Sequence, residues 1–228
     1  MDGAGRALSM PGYPETVILA IDTSIGSTVA VVELDGTVRA VAERENTLGH
    51  AEIIGTLLAQ ALADADGQIT HVAAGMGPGA FTGLRIGIAA ARAFALGRGL
   101  PVVPVPSHVA AALGELDGGA SGPFAIVTDA RRRENAITVF DGVDGNGLPR
   151  RIAGPELRPQ TADFETDELT SGSRIVRAAA IRGSDVGRAA ALMLASGWTP
   201  SGELAETEPL YLRSPDVTVG HAPKRVSA

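Results

Sequence analysis

The sequence predicts an α/β fold of two lobes built to one plan, the second reduced. Three observations carry this. Apolar runs of strand and helix length follow one another as strand, strand, strand, helix, strand, helix, strand over residues 17–105. A glycine-rich loop, Gly75-Met76-Gly77-Pro78-Gly79, follows the apolar run Val72-Ala73-Ala74 and leads into an unbroken helical pattern from Thr82 to about Leu96. A weaker copy of the opening restarts at Phe124-Ala125-Ile126-Val127-Thr128-Asp129.

Each element has its own reason. Val17-Ile18-Leu19-Ala20-Ile21 is a continuous apolar run, a strand buried on both faces that ends at Asp22-Thr23-Ser24. Thr28 to Leu34 alternates as a second strand, Asp35-Gly36 reads as a type I′ hairpin turn, and Thr37 to Glu43 makes the third strand. From Leu48 to Ala65, Ile53, Ile54, Leu57, Leu58, Ala61 and Leu62 recur at three- and four-residue steps, the stripe of an amphipathic helix. Val72 to Gly75 and Val102 to Val105 are the fourth and fifth strands, and Ser107 stands as N-cap of a third helix. This is the order of a ribonuclease-H-like lobe. In the second copy Ala136 to Phe140 is a strand and Asp185 to Ala195 a helix, while 150–180 has no clear pattern. The expected division is a tail at 1–14, lobes at 15–106 and 107–213, and a tail at 214–228.

Composition narrows the function. The 228 residues are 45% apolar with mean hydropathy +0.16, enough for a real core, and no run reaches the ~18 apolar residues of a membrane span. There is no cysteine, so thiolate metal sites and disulfides are excluded. The start lacks the pattern of a secretory leader, and a cytoplasmic protein is expected. A net charge of −7 argues against unaided electrostatic binding of nucleic acid. Lys224 is the only lysine, which leaves the folded body none for phosphate chemistry.

The glycine loop has two readings. It is an anion cradle at a helix N-terminus, or a rigid turn that aims a contact helix. As a cradle it would bind nucleotide phosphates with Asp22, Thr23, Ser24, Gly77 and Gly79, the carboxylate holding Mg²⁺ through water. No Gly-Lys-Ser/Thr follows, so it is not a Walker A loop. Asp22 and Asp129 stand at equivalent strand ends and would face each other across a cleft, with internal duplication of a turn-capping Asp as the plainer account. Arg131-Arg132-Arg133 would touch an RNA phosphate or an acidic partner, or form a solvated loop. The four histidines, His50, His71, His108 and His221, have no metal-ligand spacing, and adjacent Ser107-His108 point in different directions on a helix, so they make no nucleophile–base pair. On the second helix Gly83, Gly87 and Ala91 recur every four residues, a row that permits close helix approach, with Leu84 and Ile88 beside it. The first helix carries two apolar rows, Ile53 with Leu57 and Ile54 with Leu58, one more than its own sheet requires. The second row is a candidate interface.

The residues Ile18-Leu19-Ala20-Ile21-Asp22-Thr23-Ser24, Gly49-His50-Ala51-Glu52, Gly77-Pro78-Gly79-Ala80-Phe81-Thr82-Gly83-Leu84-Arg85-Ile86-Gly87, Asp129-Ala130-Arg131 and Pro209-Leu210-Tyr211-Leu212-Arg213 closely resemble the bacterial TsaB (YeaZ) family. The resemblance covers about 16–213, weakly over 150–200. It implies the ASKHA superfold (actin, sugar kinase, heat-shock ATPase). It implies a non-catalytic partner of TsaD, the transferase that makes threonylcarbamoyladenosine next to the anticodon of tRNA. It further implies self-pairing when alone, a TsaE ATPase in the assembled complex, contact with tRNA only through that complex, and no cofactor of its own. TsaD carries an HxxxH metal pair on the helix after the strand matching Val102–Val105. Ser107 and Ala111 stand at those positions here. The family pairs through the two helices at 48–65 and 82–97, which makes Ile53, Ile54, Leu57, Leu58, Gly83, Leu84, Gly87, Ile88 and Ala91 the expected interface. Each side chain buried there would contribute ~1.5–3 kcal/mol. The rival is an ATPase or carbamoyl-transfer enzyme built on Asp22 and the Gly75–Gly83 loop. A peptidase, a role suggested at times for the superfamily, lacks a visible nucleophile–base pair.

Overall fold

The computed structural model describes residues 16–45, 49–65, 68–198 and 208–212. The expected tails at 1–14 and 214–228, the helix start at Leu48, and Arg213, His221 and Lys224 lie outside the described residues. A five-stranded sheet runs in the order β3-β2-β1-β4-β5, with β1 Val17–Asp22, β2 Ser27–Glu33, β3 Val38–Arg44, β4 His71–Gly75 and β5 Val102–Val105. The first three strands are antiparallel, and β1, β4 and β5 are parallel. A second sheet, β8-β7-β6-β9, joins β6 Pro123–Asp129, β7 Glu134–Val143, β8 Pro149–Pro159 and β9 Arg174–Arg177. The helices are α1 His50–Asp64, α2 Phe81–Arg98, α3 Ser107–Asp117 and α4 Gly183–Ala195.

Strand β1 shows why its run is apolar throughout. Val17, Leu19 and Ile21 face α1 and α2, packing with Ile54, Leu57, Ala61, Leu84, Ile88 and Ala91. Ile18 and Ala20 face the other way, onto Ala110 and Leu113 of α3 and Val186, Ala189 and Ala190 of α4. The sheet is thus a middle layer, covered on both faces. Helix α3 has a second neighbour. Its Ala112 packs with Phe124, Ile126 and Phe140 of the second sheet. It therefore fills the space between the two sheets.

Three differences from the sequence reading have physical causes. The Asp35-Gly36 turn is not a two-residue type I′ turn. Gly36 takes a φ of +88°, but Asp35 is not among the residues of positive φ, which type I′ demands at both central places. Instead the Asp35 carboxylate accepts the Thr37 N–H at 2.9 Å, and the Glu33 N–H donates to Thr37 O at 2.8 Å, closing a longer loop. The unpatterned stretch 150–180 contains β8 and β9. Strand β8 lies at the sheet edge, paired on one side to β7 only, and has few buried residues, so no apolar alternation marks it. Helix α4 follows the second sheet in the chain but packs on β1 and β2 of the first.

The contact of α4 with the first sheet is tight at Gly187, where an added Cβ would lie 2.4 Å from Val32 Cγ2 and 2.8 Å from Val32 Cβ. Gly187→Ala is expected to destabilise the fold by about 1–3 kcal/mol, the cost of overpacking a full core. A lower urea midpoint with an unchanged slope would register it.

Candidate functional site

The C-terminal end of β1 is the centre of a buried polar cluster. Asp22 has no exposed surface, nor does Ser107. Asp22 Oδ1 accepts the Ser24 N–H at 2.7 Å and the Ser24 hydroxyl at 2.5 Å, and Oδ2 accepts the Ser107 hydroxyl at 2.5 Å. Ser107 Oγ in turn accepts the Gly77 N–H at 3.0 Å, and the Ser107 N–H donates to Gly77 O at 2.8 Å. Burial pushes the Asp22 carboxyl above the usual carboxylate range, against the hydrogen bonds from Ser107 and Ser24. Thr23 faces α2: its hydroxyl donates to Gly83 O at 2.7 Å and accepts the Gly87 N–H at 2.9 Å.

Glycines at every fourth position make this approach possible. An added Cβ at Gly75 would sit 1.8 Å from Asp22 Oδ2, and one at Gly87 2.3 Å from Thr23 Oγ1. Gly79 backs onto Ser24, and Gly83 onto His50 and the Thr23 carbonyl, equally closely. The residues expected to bind nucleotide, Asp22, Thr23, Ser24, Gly77 and Gly79, are therefore brought together, but around one another. Both Asp22 oxygens are engaged internally, and the loop lies flat against the strand end. With one another these groups form an internal latch.

Ser107 is also not an N-cap. Pro106 holds that place, Ser107 is the first helical residue, and its hydroxyl serves Asp22 instead. His108, next to it, points to the second sheet. Its Nδ1 lies 2.7 Å from Thr138 Oγ1 and its Nε2 2.9 Å from Thr128 Oγ1. A neutral imidazole offers one donor and one acceptor, and two hydroxyls satisfy both. Burial lowers its pKa from 6.5 to about 3. His50 is buried too, with Nδ1 2.7 Å from the Ser27 hydroxyl. Asp129 is half-exposed and accepts the Arg131 N–H at 2.7 Å, while Asp22 has no access to a cleft, so the two carboxylates do not form a dyad. Among the described residues, no group of three or more acidic or histidine side chains is placed to hold a metal.

The expected interface residues divide. Ile54, Leu57, Gly83, Leu84, Gly87, Ile88 and Ala91 are buried in the chain's own core, and Ile53 and Leu58 are partly buried against it. The four-residue row of Gly83, Gly87 and Ala91 accommodates the strand end and the sheet below. The exposed positions of the same pair include Ala51, Gly55, Ala59 and Ala63 on α1 and Ala89, Ala93, Leu96 and Gly97 on α2, with Leu96 at 85%, interleaved with the polar Glu52, Thr56, Gln60, Arg85 and Arg92. An added Cβ at Gly55 or Gly97 would meet nothing within 4 Å.

Among known proteins, the family model for tRNA N6-adenosine threonylcarbamoyltransferase, TsaD, matches residues 34–146. An uncharacterized protein of Mycobacterium tuberculosis is 32% identical over 88% of this chain and 93% of its own length. The Escherichia coli tRNA threonylcarbamoyladenosine biosynthesis protein TsaB is 37% identical over 51% of this chain and 52% of its own. The chain spans 43% of an uncharacterized Mycobacterium leprae relative, at 35% identity. The solved structure of YeaZ from Pseudomonas aeruginosa superposes with a TM-score of 0.68 at 21% identity, covering 86% of this chain and all of that one.

Two outcomes test the latch. Asp22→Ala strands buried donors and is expected to cost roughly 2–4 kcal/mol. Gly75→Ala, which drives a methyl into the carboxylate, should cost as much. In a double-mutant cycle Gly75→Ala becomes far cheaper in the Asp22→Ala background, because the methyl enters vacated space. For His108, the folded pKa lies below the ordinary value, so the unfolded chain takes up a proton first. The stabilisation is whole above about pH 6.5 and lost as pH falls toward 3. The raised Asp22 works in the opposite sense. The wild type should therefore lose roughly 2–3 kcal/mol more than His108→Gln between about pH 7 and about pH 4 in urea unfolding.

Proposed function

The chain belongs to the TsaB (YeaZ) family, and we propose that it serves tRNA threonylcarbamoyladenosine formation as the non-catalytic partner of a TsaD-like transferase. The observation that carries this reading is the contrast between the strand end and the helix pair. The groups that would do chemistry at the end of β1 are spent on one another, whereas the outer side of α1 and α2 is exposed and carries a row of small residues on each helix. Small side chains let a partner helix approach closely, and Leu96 adds exposed apolar area.

The partner would be a TsaD-like chain, with a second copy of this chain taking its place when TsaD is absent. A TsaE-like ATPase would join the assembly, and tRNA would be met through the complex. The absence of catalysis in this reading is supported by the histidine pair that TsaD has and this chain replaces with Ser107 and Ala111. No described helix is long and apolar enough to cross a membrane, which suits such a role in the cytoplasm.

The variants that test this lie on the outer side of the helices. Ala93→Arg and Gly55→Arg should abolish pairing with TsaD, and self-pairing, with the unfolding midpoint within about 0.5 kcal/mol of wild type, as for other surface changes. Gly87→Arg, by contrast, should fail to fold because its side chain would displace Thr23. Light-scattering mass of each variant, alone and mixed with the cognate TsaD, reads both. Wild-type pairing by Ala93→Arg would remove the helix face as the docking surface.

A further inference from the structure

Helix α2 carries three arginines, Arg85, Arg92 and Arg98, and no acid, in a chain whose net charge is −7. Two of the three have local roles. Arg98 stands in the last turn, where a cation suits the negative end of the helix, and it lies over the Phe94 ring, 4.9 Å from the centroid. Arg92 already interacts within the chain. Arg85 has neither explanation. It is exposed, and it sits near the positive end of α2, where the dipole gives a cation nothing.

The Arg85 side chain is nonetheless held. Its Nε donates to the Tyr211 hydroxyl at 2.7 Å, and the guanidinium lies 3.8 Å from the Phe81 centroid and 5.4 Å from that of Tyr211. Phe81 stands one turn earlier on the same helix, at the four-residue spacing that brings side chains together. Tyr211 is fixed from another direction. The Leu210 N–H beside it donates to Met76 O at 2.8 Å, and the ring packs against the core of the first sheet. The two rings, tilted by 40° with centroids 4.9 Å apart, form a clamp.

A guanidinium has five donors, and the clamp engages one of them. The Nη atoms have no hydrogen-bond or carboxylate partner among the described residues. Arg158 shows the contrast, held between Asp167 and Glu156 at 2.8 Å each. Arg85 is fixed in place with its charge unanswered. Its position adds direction. Arg85, Ala89 and Ala93 stand four apart, so Arg85 heads the row of small residues on the outer side of α2. Leu96 lies farther along that side, about 16 Å away at 1.5 Å per residue.

We propose that Arg85 determines partner specificity on this face, its Nη atoms taking a carboxylate presented by a helix of the TsaD-like chain. The proposal rests on the reading of α1 and α2 as the docking surface. Two Nη atoms meet a carboxylate in two parallel bonds, and a side chain already clamped loses little freedom on doing so. A charge at one end of the row and an apolar side chain at the other give docking one direction. A partner helix laid the opposite way leaves Arg85 desolvated and unpaired, which disfavours it.

Affinity of the full chain for the cognate TsaD is measured by calorimetry over a series of salt concentrations. Arg85→Gln is expected to weaken pairing roughly tenfold or more and to flatten its salt dependence, and Arg85→Glu to weaken it further by repulsion. Arg85→Lys restores the salt dependence and part of the affinity, because it keeps the charge without the planar fork. Unfolding midpoints stay at the wild-type value, since the side chain is exposed. Ala93→Arg is run beside them. Wild-type affinity in Arg85→Glu, with pairing abolished in Ala93→Arg, overturns the role of Arg85 and leaves the docking face standing. Wild-type affinity in Ala93→Arg overturns the face, and the proposal with it. Weaker pairing in Arg85→Gln at an unchanged salt dependence, or no return of that dependence in Arg85→Lys, overturns recognition of a carboxylate.

Discussion

The structure depends on the first turn of α3, where two neighbouring side chains hold two different sheets. Successive residues on a helix are turned about 100° apart. Ser107 therefore reaches the end of β1 while His108 reaches β6 and β7. Both are fully desolvated, and both have partners on all their polar atoms. Opening the lobes about α3 would break the Ser107 bond to a carboxylate or the pair of bonds to His108. A bond to a charged group is worth ~1.5–3 kcal/mol and leaves a costly orphan when lost. Helix α4 reinforces this by returning from the second sheet to cover the first. The two lobes are coupled at the spot where a cleft enzyme would need to hinge.

The same constraint explains the glycines. For Ser107 to reach Asp22, the loop between β4 and α2 must pass between them without side chains. Gly75 leaves room for the carboxylate itself, and Gly77 supplies the N–H that Ser107 accepts. Farther on, Gly83 and Gly87 let α2 lie directly on Thr23. The spacing of four is the helical period carried back through the loop, and it fixes where α2 starts and which way it runs. The outer face of α2, and the position of α1 beside it, follow from that.

Much of this was legible in the chain. The first sheet and its helices come with clear periodicity, because β1, β2, β4 and β5 are largely buried, the edge strand β3 alternates, and the helices are one-sided. Helices expected at 48–65 and 82–97 are found at His50–Asp64 and Phe81–Arg98. The second sheet was harder to read because its edge strand, β8, buries little, and nothing apolar alternates along it. The site was harder to read for a related reason. Periodicity tells that Leu84, Gly87 and Ile88 share a face, but not what covers that face. A row of small residues suits a strand end as well as a partner helix. The sequence grouped Asp22, Ser24 and Gly77 at one strand end but not Ser107, which lies 85 residues from Asp22 in the chain and meets it only in the fold.

The two lobes also show how one plan can take two roles. Asp22 and Asp129 end matching strands, and both carboxylates bind a backbone N–H two residues on. In the first lobe a serine from α3 closes over the acid, and glycines bring the next loop into contact with it. In the second lobe no glycine stands in the following three residues. The chain turns through three arginines in the left-handed region instead, and Asp129 stays half-exposed. One strand end is closed over its acid, and the other leaves its acid half-exposed beside the arginine turn. A helix pair packed on a sheet that is covered on both faces presents a preformed surface, and a preformed surface loses little ordering entropy when a partner binds it.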